Sequence, residues 1–477
     1  MNSQENKNFV DQIWDDAIIP TLMDYIRIPN KSPHFDPEWQ KNGYMMQAVH
    51  LIAEWCKKHG PEDLDLEVMQ LNNRTPILFM ELPGNSEETV LLYGHLDKQP
   101  EMTGWDPELH PWKPVLQHDK LYGRGGADDG YSAFASLAAL LSLRAQKKPH
   151  ARCVILIEAC EESGSYDLPY YIEALQDRIG NPNLIICLDS GCGNYEQLWV
   201  TTSLRGLTSG NLHIEILTQG VHSGLASGIV PSCFQILRQL LNRIEKDSNG
   251  EILLHDLQVT IPAQRIQQAK EAAAVLGEET YRMLPFVCGA KPISSQPLDL
   301  LLNHSWKPAL SIIGAEGLPE INNAGNVTLP KLAFKLSMRL PPTCDAEKAA
   351  KILKTTLEAN APYHAKIRYE TTDSGSGWNA PAESPWLSAA ADHASKTYFG
   401  KGVVYMGEGG SIPFMGMLGK KFPEAQFLIT GLLGPSSNAH GPNEFLHIPA
   451  GKKLTACIAE IIGKHFERDT DMRVMKR

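Results

Sequence analysis

The sequence predicts an α/β protein: a mixed, mostly parallel sheet flanked by helices, with a smaller α+β domain inserted into it. Three observations carry that expectation. The runs Thr89-Val90-Leu91-Leu92-Tyr93, Val154-Ile155-Leu156-Ile157 and Leu184-Ile185-Ile186-Cys187-Leu188 are short, β-branched and unalternating, as strands covered on both faces must be. Between the first two lies an Ala/Leu-rich stretch, Ser132 to Arg144, built of strong helix formers. Further on, residues 211–217 and 332–340 alternate apolar and polar, which suits antiparallel strands with one exposed face.

The elements follow in order. Residues 8–27 place Phe9, Ile13, Leu22 and Ile26 at helical spacing, and residues 43–59 repeat the pattern. The three buried strands and the intervening helix come next. The character of the chain changes near Ser203-Leu204-Arg205-Gly206, where the alternating segments begin. Helical patterns at 232–245, 266–276 and 345–359 accompany them. Asp373-Ser374-Gly375-Ser376-Gly377 reads as a linker, and helical sequence resumes at 384–399. With 477 residues the chain suits two domains. The smaller, about 206–380, is expected inside a larger one whose halves are 1–205 and 381–477.

Hydrophobic content of 43% and charged content of 21% are those of a globular protein. The net charge of −11, with no Lys/Arg run, argues against a nucleic-acid footprint or an anionic membrane surface as partner. The first residues are polar and no apolar stretch is long enough to span a bilayer, so neither a signal peptide nor a membrane span is expected. The nine cysteines are odd in number, scattered and without C-x-x-C spacing. They read as reduced, mostly buried thiols of a cytoplasmic protein.

Five acid-or-His clusters stand just after apolar runs or in Gly-rich turns. His95 and Asp97 follow the first run directly, where open α/β sheets build their sites. Asp97 is spaced to accept the other ring N–H of His95 and fix its tautomer. Asp128 and Asp129 sit in Tyr122-Gly123-Arg124-Gly125-Gly126-Ala127-Asp128-Asp129-Gly130. A dinucleotide loop would need glycine at position 128, so that reading fails; a helix-capping turn stays open. Glu161 and Glu162 follow the second run. Adjacent carboxylates there can divide the work, one holding a metal and the other moving a proton. Asp189 repeats the position after the third run, and His440 lies in the turn Asn438-Ala439-His440-Gly441-Pro442. Mixed His and carboxylate donors suit Zn²⁺, with Mn²⁺ or Co²⁺ also compatible, and together point to metal-assisted hydrolysis.

Those residues, with Leu121-Tyr122-Gly123-Arg124-Gly125-Gly126-Ala127-Asp128-Asp129, Glu161-Glu162-Ser163-Gly164-Ser165, Val221-His222-Ser223-Gly224, Met338-Arg339-Leu340 and Gly409-Gly410-Ser411-Ile412-Pro413, resemble the aminoacylase–carboxypeptidase G–desuccinylase family of dizinc hydrolases. Within it they are most similar to the carnosinase and cytosolic dipeptidase branch. The resemblance implies a zinc-exopeptidase-type catalytic domain, and an inserted lid that serves as a dimerisation domain. It implies that Asp128 bridges two metals, that His95 and Asp189 complete one, and that Glu162 and His440 complete the other. Glu161 becomes the general base and proton donor, and Asp97 the orienter of His95. A cis peptide is expected after the bridging aspartate. His222 would act in the partner subunit's site, Arg339 would grip a substrate carboxylate, and Gly410 and Ser411 would line the substrate pocket. The expected activity is dipeptide hydrolysis by a homodimer, with an N-acyl-amino-acid amidohydrolase as the alternative on the same scaffold. The chain departs from the branch at Gly130-Tyr131, where a lysine is usual, and lacks a histidine around Ser374-Gly375-Ser376-Gly377-Trp378.

Overall fold

The computed structural model describes residues 1–410 and 412–475. The chain divides into two compact units: residues 1–201, 380–406 and 417–477 form the first, and residues 202–379 with 407–416 the second.

The first unit is organised by its sheet. The strands Thr89–His95, Arg152–Glu158 and Pro182–Cys187 are adjacent and parallel, with Thr89–His95 in the middle. All seven residues of Thr89–His95 are buried, because helices cover both faces of the sheet. The strands Asp65–Met69 and Ile77–Leu82 extend it antiparallel on one side. On the other side the short strand Gln426–Ile429 pairs parallel to Pro182–Cys187 and antiparallel to Trp199–Leu204 at Thr201. The sheet is therefore mixed with a parallel centre.

The helix Ser132–Ala145 is buried around nearly its whole circumference. Its alanines allow this, since they let neighbouring elements approach closely at little entropic cost. Helices Tyr44–His59 and Ile448–Met475 join the same core, with Trp14, Phe134, Leu137, Cys457 and Ile461 all inaccessible to solvent. Each fully buried Leu, Ile or Phe contributes about 1.5–3 kcal/mol. A second, three-stranded sheet pairs Phe445–His447 with Lys120–Tyr122 and Val115–Gln117. This ladder matters for function, because it fixes the loop that carries His440 against the loop that carries Asp128.

In the second unit four antiparallel strands run in the order Ala309–Glu316, Lys331–Leu340, Gly206–Glu215, Lys366–Gly375. Lys331–Leu340 buries alternate residues, as its sequence predicts. One face of the sheet packs on the helices Cys233–Leu241 and Ala346–Glu358 around Leu212, Ile236, Leu240, Phe334 and Leu353. The linker expected at 373–377 is corrected here. Asp373, Ser374 and Gly375 pair with Ser209, Thr208 and Leu207 at the end of a ten-residue strand. Gly377 serves close packing instead, since a Cβ there would collide with Leu204 O and Gly206 N, whereas Gly375 has open space beside it. Among the described residues, no helix is long and apolar enough to cross a membrane.

Candidate metal centre

Each of the three adjacent parallel strands at the centre of the first unit's sheet delivers a candidate site residue from its carboxyl end. His95 closes Thr89–His95, Glu161 and Glu162 follow Arg152–Glu158, and Asp189 follows Pro182–Cys187. Asp128 enters from a Gly-rich turn, and the Asp128–Asp129 peptide is cis. Gly125 takes a φ of 81°, which the turn needs and most other residues would resist.

These side chains converge in two groups that share Asp128. His95, Asp128 and Asp189 bring their donor atoms within 4.8 Å of one another, and so do Asp128, Glu162 and His440. His95 Nε2 lies 3.2 Å from Asp128 Oδ1 and 3.7 Å from Asp189 Oδ2. His440 Nε2 lies 3.0 Å from Asp128 Oδ2 and 3.3 Å from Glu162 Oε2. The two oxygens of one carboxylate thus face two different histidines.

Asp97 does more than its spacing suggested. His95 Nδ1 is 3.1 Å from the Asp97 carbonyl and 3.4 Å from its Oδ1, so the ring is held from behind. The two carboxylate oxygens of Asp97 also accept the backbone N–H groups of Glu161 and Glu162, each at 3.0 Å. One buried aspartate therefore orients a ligand on one strand and the paired glutamates after its neighbour.

Electrostatics show what the centre lacks. Burial, and then the charge of Asp189, holds the Glu161 carboxyl well above its ordinary pKa. Burial and the charges of Asp128 and Glu161 do the same for Glu162. For His95, burial alone would depress the pKa, but Asp189, Asp128 and Asp97 outweigh it and raise the value. Asp128 goes the other way: burial opposes ionisation, yet its bonds to His440 and His95 hold it below its usual value. The buried Glu162 Oε1 has no hydrogen-bond partner. A crowd of buried carboxylates with too few donors is stable only with added positive charge. The residues fit divalent cations, and the donor set of imidazole and carboxylate is one that such ions accept.

Three supporting residues were not legible as such in the sequence. Arg124 and Glu444 form a fully buried ion pair, Nη1 to Oε2 at 2.6 Å. Glu444 also accepts Gly125 N–H at 2.9 Å, and Arg124 Nη2 donates to Gly441 O at 2.7 Å. Together they tie the Asp128 turn to the His440 turn. Gln99 Nε2 donates to Glu162 Oε2 at 2.5 Å. The only sequence signal was an arginine between glycines, which by itself reads as a surface residue.

The other expected site residues belong to the second unit. His222 is exposed, and its Nδ1 accepts the N–H of Gly224 at 3.0 Å, capping a short helical turn. Arg339 sits in Lys331–Leu340 opposite Ala309 on one side and Leu207 on the other. Gly410 is exposed, with open space where a Cβ would lie. Ser411 lies outside the described residues.

Comparison with known proteins agrees with this geometry. The family model described as Peptidase family M20/M25/M40 matches residues 91–464. A cysteinylglycine-S-conjugate dipeptidase of Corynebacterium striatum is 26% identical over 430 residues, covering 87% of this chain and 89% of its own. A Beta-Ala-His dipeptidase of Homo sapiens is 26% identical over 476 residues, covering 95% and 92%. The crystal structure of human carnosine dipeptidase 1 superposes with a TM-score of 0.76 over 97% of this chain and 98% of its own, at 22% identity.

Proposed function

Because the chain belongs to Peptidase family M20/M25/M40, we propose that it is a metal-dependent dipeptidase. Its substrates are dipeptides or short peptides with a free C-terminal carboxylate. One observation carries the reading: two metal-holding groups share Asp128, and the carboxyl of Glu161 is buried among their charges. The names of the relatives, Cys-Gly-conjugate and β-Ala-His dipeptidases, agree in bond type and differ in side chain, so dipeptide hydrolysis is the common element.

The ligands we assign are His95 and Asp189 to one ion, Glu162 and His440 to the other, and Asp128 to both, with Zn²⁺ as the ion that best suits the donors. Bound divalent ions would polarise the scissile carbonyl and lower the pKa of an attacking water toward 7. Glu161 accepts the proton of that water and returns it to the departing amine. Its backbone is fixed for this by Asp97, which holds the N–H groups of both glutamates. Asp97 keeps His95 in one tautomer by receiving its Nδ1–H. Arg339 offers a planar two-donor fork to the substrate carboxylate, and Gly410 leaves room beside it. Ser411 is assigned to the same pocket on sequence grounds alone.

The deciding experiment is amine release by metal-loaded protein on unblocked dipeptides beside N-acetyl and N-succinyl amino acids, with metal analysis and chelator controls. Chelator-sensitive cleavage of dipeptides alone is expected. Cleavage of acyl amino acids alone would assign the chain to the amidohydrolase alternative. Silence on both panels with metal bound would remove the reading.

The inserted unit is further read as a lid and dimerisation domain, with His222 stabilising the oxyanion in the partner subunit's site. Its support is that His222 is exposed and free to serve a second chain. His222→Ala and Glu161→Gln should each be nearly inactive with normal metal content. Mixed dimers of the two contain one intact site and should regain part of the activity. A mixture as silent as its parents would rule out the subunit-crossing role. The cytoplasm is the proposed location, supported by nine cysteines of scattered spacing, eight of them buried; recovery of the protein outside the cytosol on cell fractionation would contradict it.

A further inference from the structure

The second unit contains an arrangement that none of these assignments uses. Arg205 joins the strands Trp199–Leu204 and Gly206–Glu215, and only 8% of it is exposed. Its backbone N–H donates to Gly410 O at 3.1 Å, and its side-chain Nε donates to Gly409 O at 3.1 Å. The N–H of Gly409 donates to Nε2 of His304 at 3.1 Å. His304 lies near the end of the helix Pro297–Ser305. Two of these bonds hold the peptide groups on either side of Gly409, and the third holds the carbonyl of Gly410.

Glycine is required at that place. A Cβ on residue 409 would run into the His304 ring. His304 must be neutral at Nε2 to accept the Gly409 N–H. Withdrawal of its ring from water, reinforced by the charges of Arg205 and Arg339, pushes its pKa down to about 4, so it stays neutral at physiological pH. The residue as a whole still keeps exposed surface.

Both clamp residues flank Arg339. The strand ladder pairs Arg339 with Leu207, two positions from Arg205, and with Ala309, five positions from His304. Among the described residues neither Arg205 nor Arg339 has a carboxylate within ion-pair distance. Burial and the charge of Arg339 push the Arg205 pKa down to about 10. Two guanidinium groups that feel each other's charge, with no ion-paired carboxylate among the described residues, suit an anion better than a neutral group.

We propose that His304 and Arg205 are positioning residues for the substrate's carboxylate. They clamp the Gly409–Gly410 backbone beside Arg339, so that the pocket accepts a carboxylate and rejects a carboxamide. The inference rests on the dipeptidase reading but adds residues that it did not contain.

The test uses the full-length, metal-loaded protein. His304→Ala should raise KM for a free dipeptide about tenfold, the loss of one positioning hydrogen bond next to a charged group. Its kcat should move by less than about twofold, since the chemistry is untouched. His304→Gln, whose amide oxygen can accept the same N–H, should restore most of the loss. The C-terminal amide of the dipeptide, already a poor substrate, should respond to neither change. Gly409→Ala should reproduce His304→Ala, and in the double variant the two effects should not add. An unchanged KM, an equal loss on acid and amide, or fully additive effects would each overturn the proposal. If the unaltered protein cleaves no dipeptide, the functional reading has failed on its own. Calorimetric binding of a free amino acid then tests the clamp: weaker binding by His304→Ala supports it, and equal binding overturns it.

Discussion

Asp128→Asn is expected to abolish turnover by emptying the metal centre. Asp128 alone belongs to both ligand groups, with one oxygen facing His95 at 3.2 Å and the other facing His440 at 3.0 Å. An asparagine keeps the shape and turns one acceptor into a donor, which repels a cation. Losing the Lewis acid forfeits several kcal/mol of transition-state stabilisation, so kcat/KM should fall about 10³-fold or more. Metal analysis should show both ions depleted together. Retention of a full metal complement with near-normal turnover would show that Asp128 is no bridge. The same logic predicts the direction of pH dependence in the unaltered protein. Glu161, Glu162 and His95 all have raised pKa values in the absence of metal. They hold protons that metal must displace, so metal affinity should weaken as pH falls, with acid released when metal is added to weakly buffered protein.

Glu161→Gln carries the second large effect, through a different quantity. Glu161 is not a member of either ligand group, so metal content should stay intact. The side chain retains its size, and its backbone N–H keeps its bond to Asp97. What is lost is proton transfer, which contributes about 10²–10⁴-fold in general acid–base catalysis, and kcat should fall by that amount with KM little changed. A fall in KM's affinity equal to the loss in kcat, or a loss of metal, would reassign Glu161 to binding. The contrast between the two variants separates holding the ions from moving the proton.

The candidate ligands were legible in the sequence because position along a buried strand is itself information. An unalternating apolar run ends at the edge of a parallel sheet, and whatever polar residue follows must emerge there. His95, Glu162 and Asp189 were read in this way. His440 and Asp128 sit in turns with no such marker; their local sequence left a capping or surface reading open, and their place came from resemblance. The residues that brace the centre were beyond reach. Arg124 meets Glu444 across 320 positions, and only the pairing of Lys120–Tyr122 with Phe445–His447 makes them neighbours. His304 gave no signal because its partner is a backbone N–H, which every residue possesses. The glycines at 373–377 misled for a related reason: glycine marks both a loose chain and two backbones too close for side chains, and composition does not distinguish them.

The placement of Gln426–Ile429 has a consequence for synthesis. This strand, made long after both its neighbours, lies inside the sheet between Pro182–Cys187 and Trp199–Leu204 rather than at its edge. The apolar cluster of the second unit around Leu212, Leu240, Phe334 and Leu353 uses residues between 212 and 369, so a growing chain can bury it while the first unit still waits for an interior strand and for His440, and the second for residues 407–416. For the time it takes to translate those segments, the ribosome carries a partly folded insert within an unfinished host. During that interval the side of Pro182–Cys187 that Gln426–Ile429 will occupy is an open β-edge, able to pair with another chain.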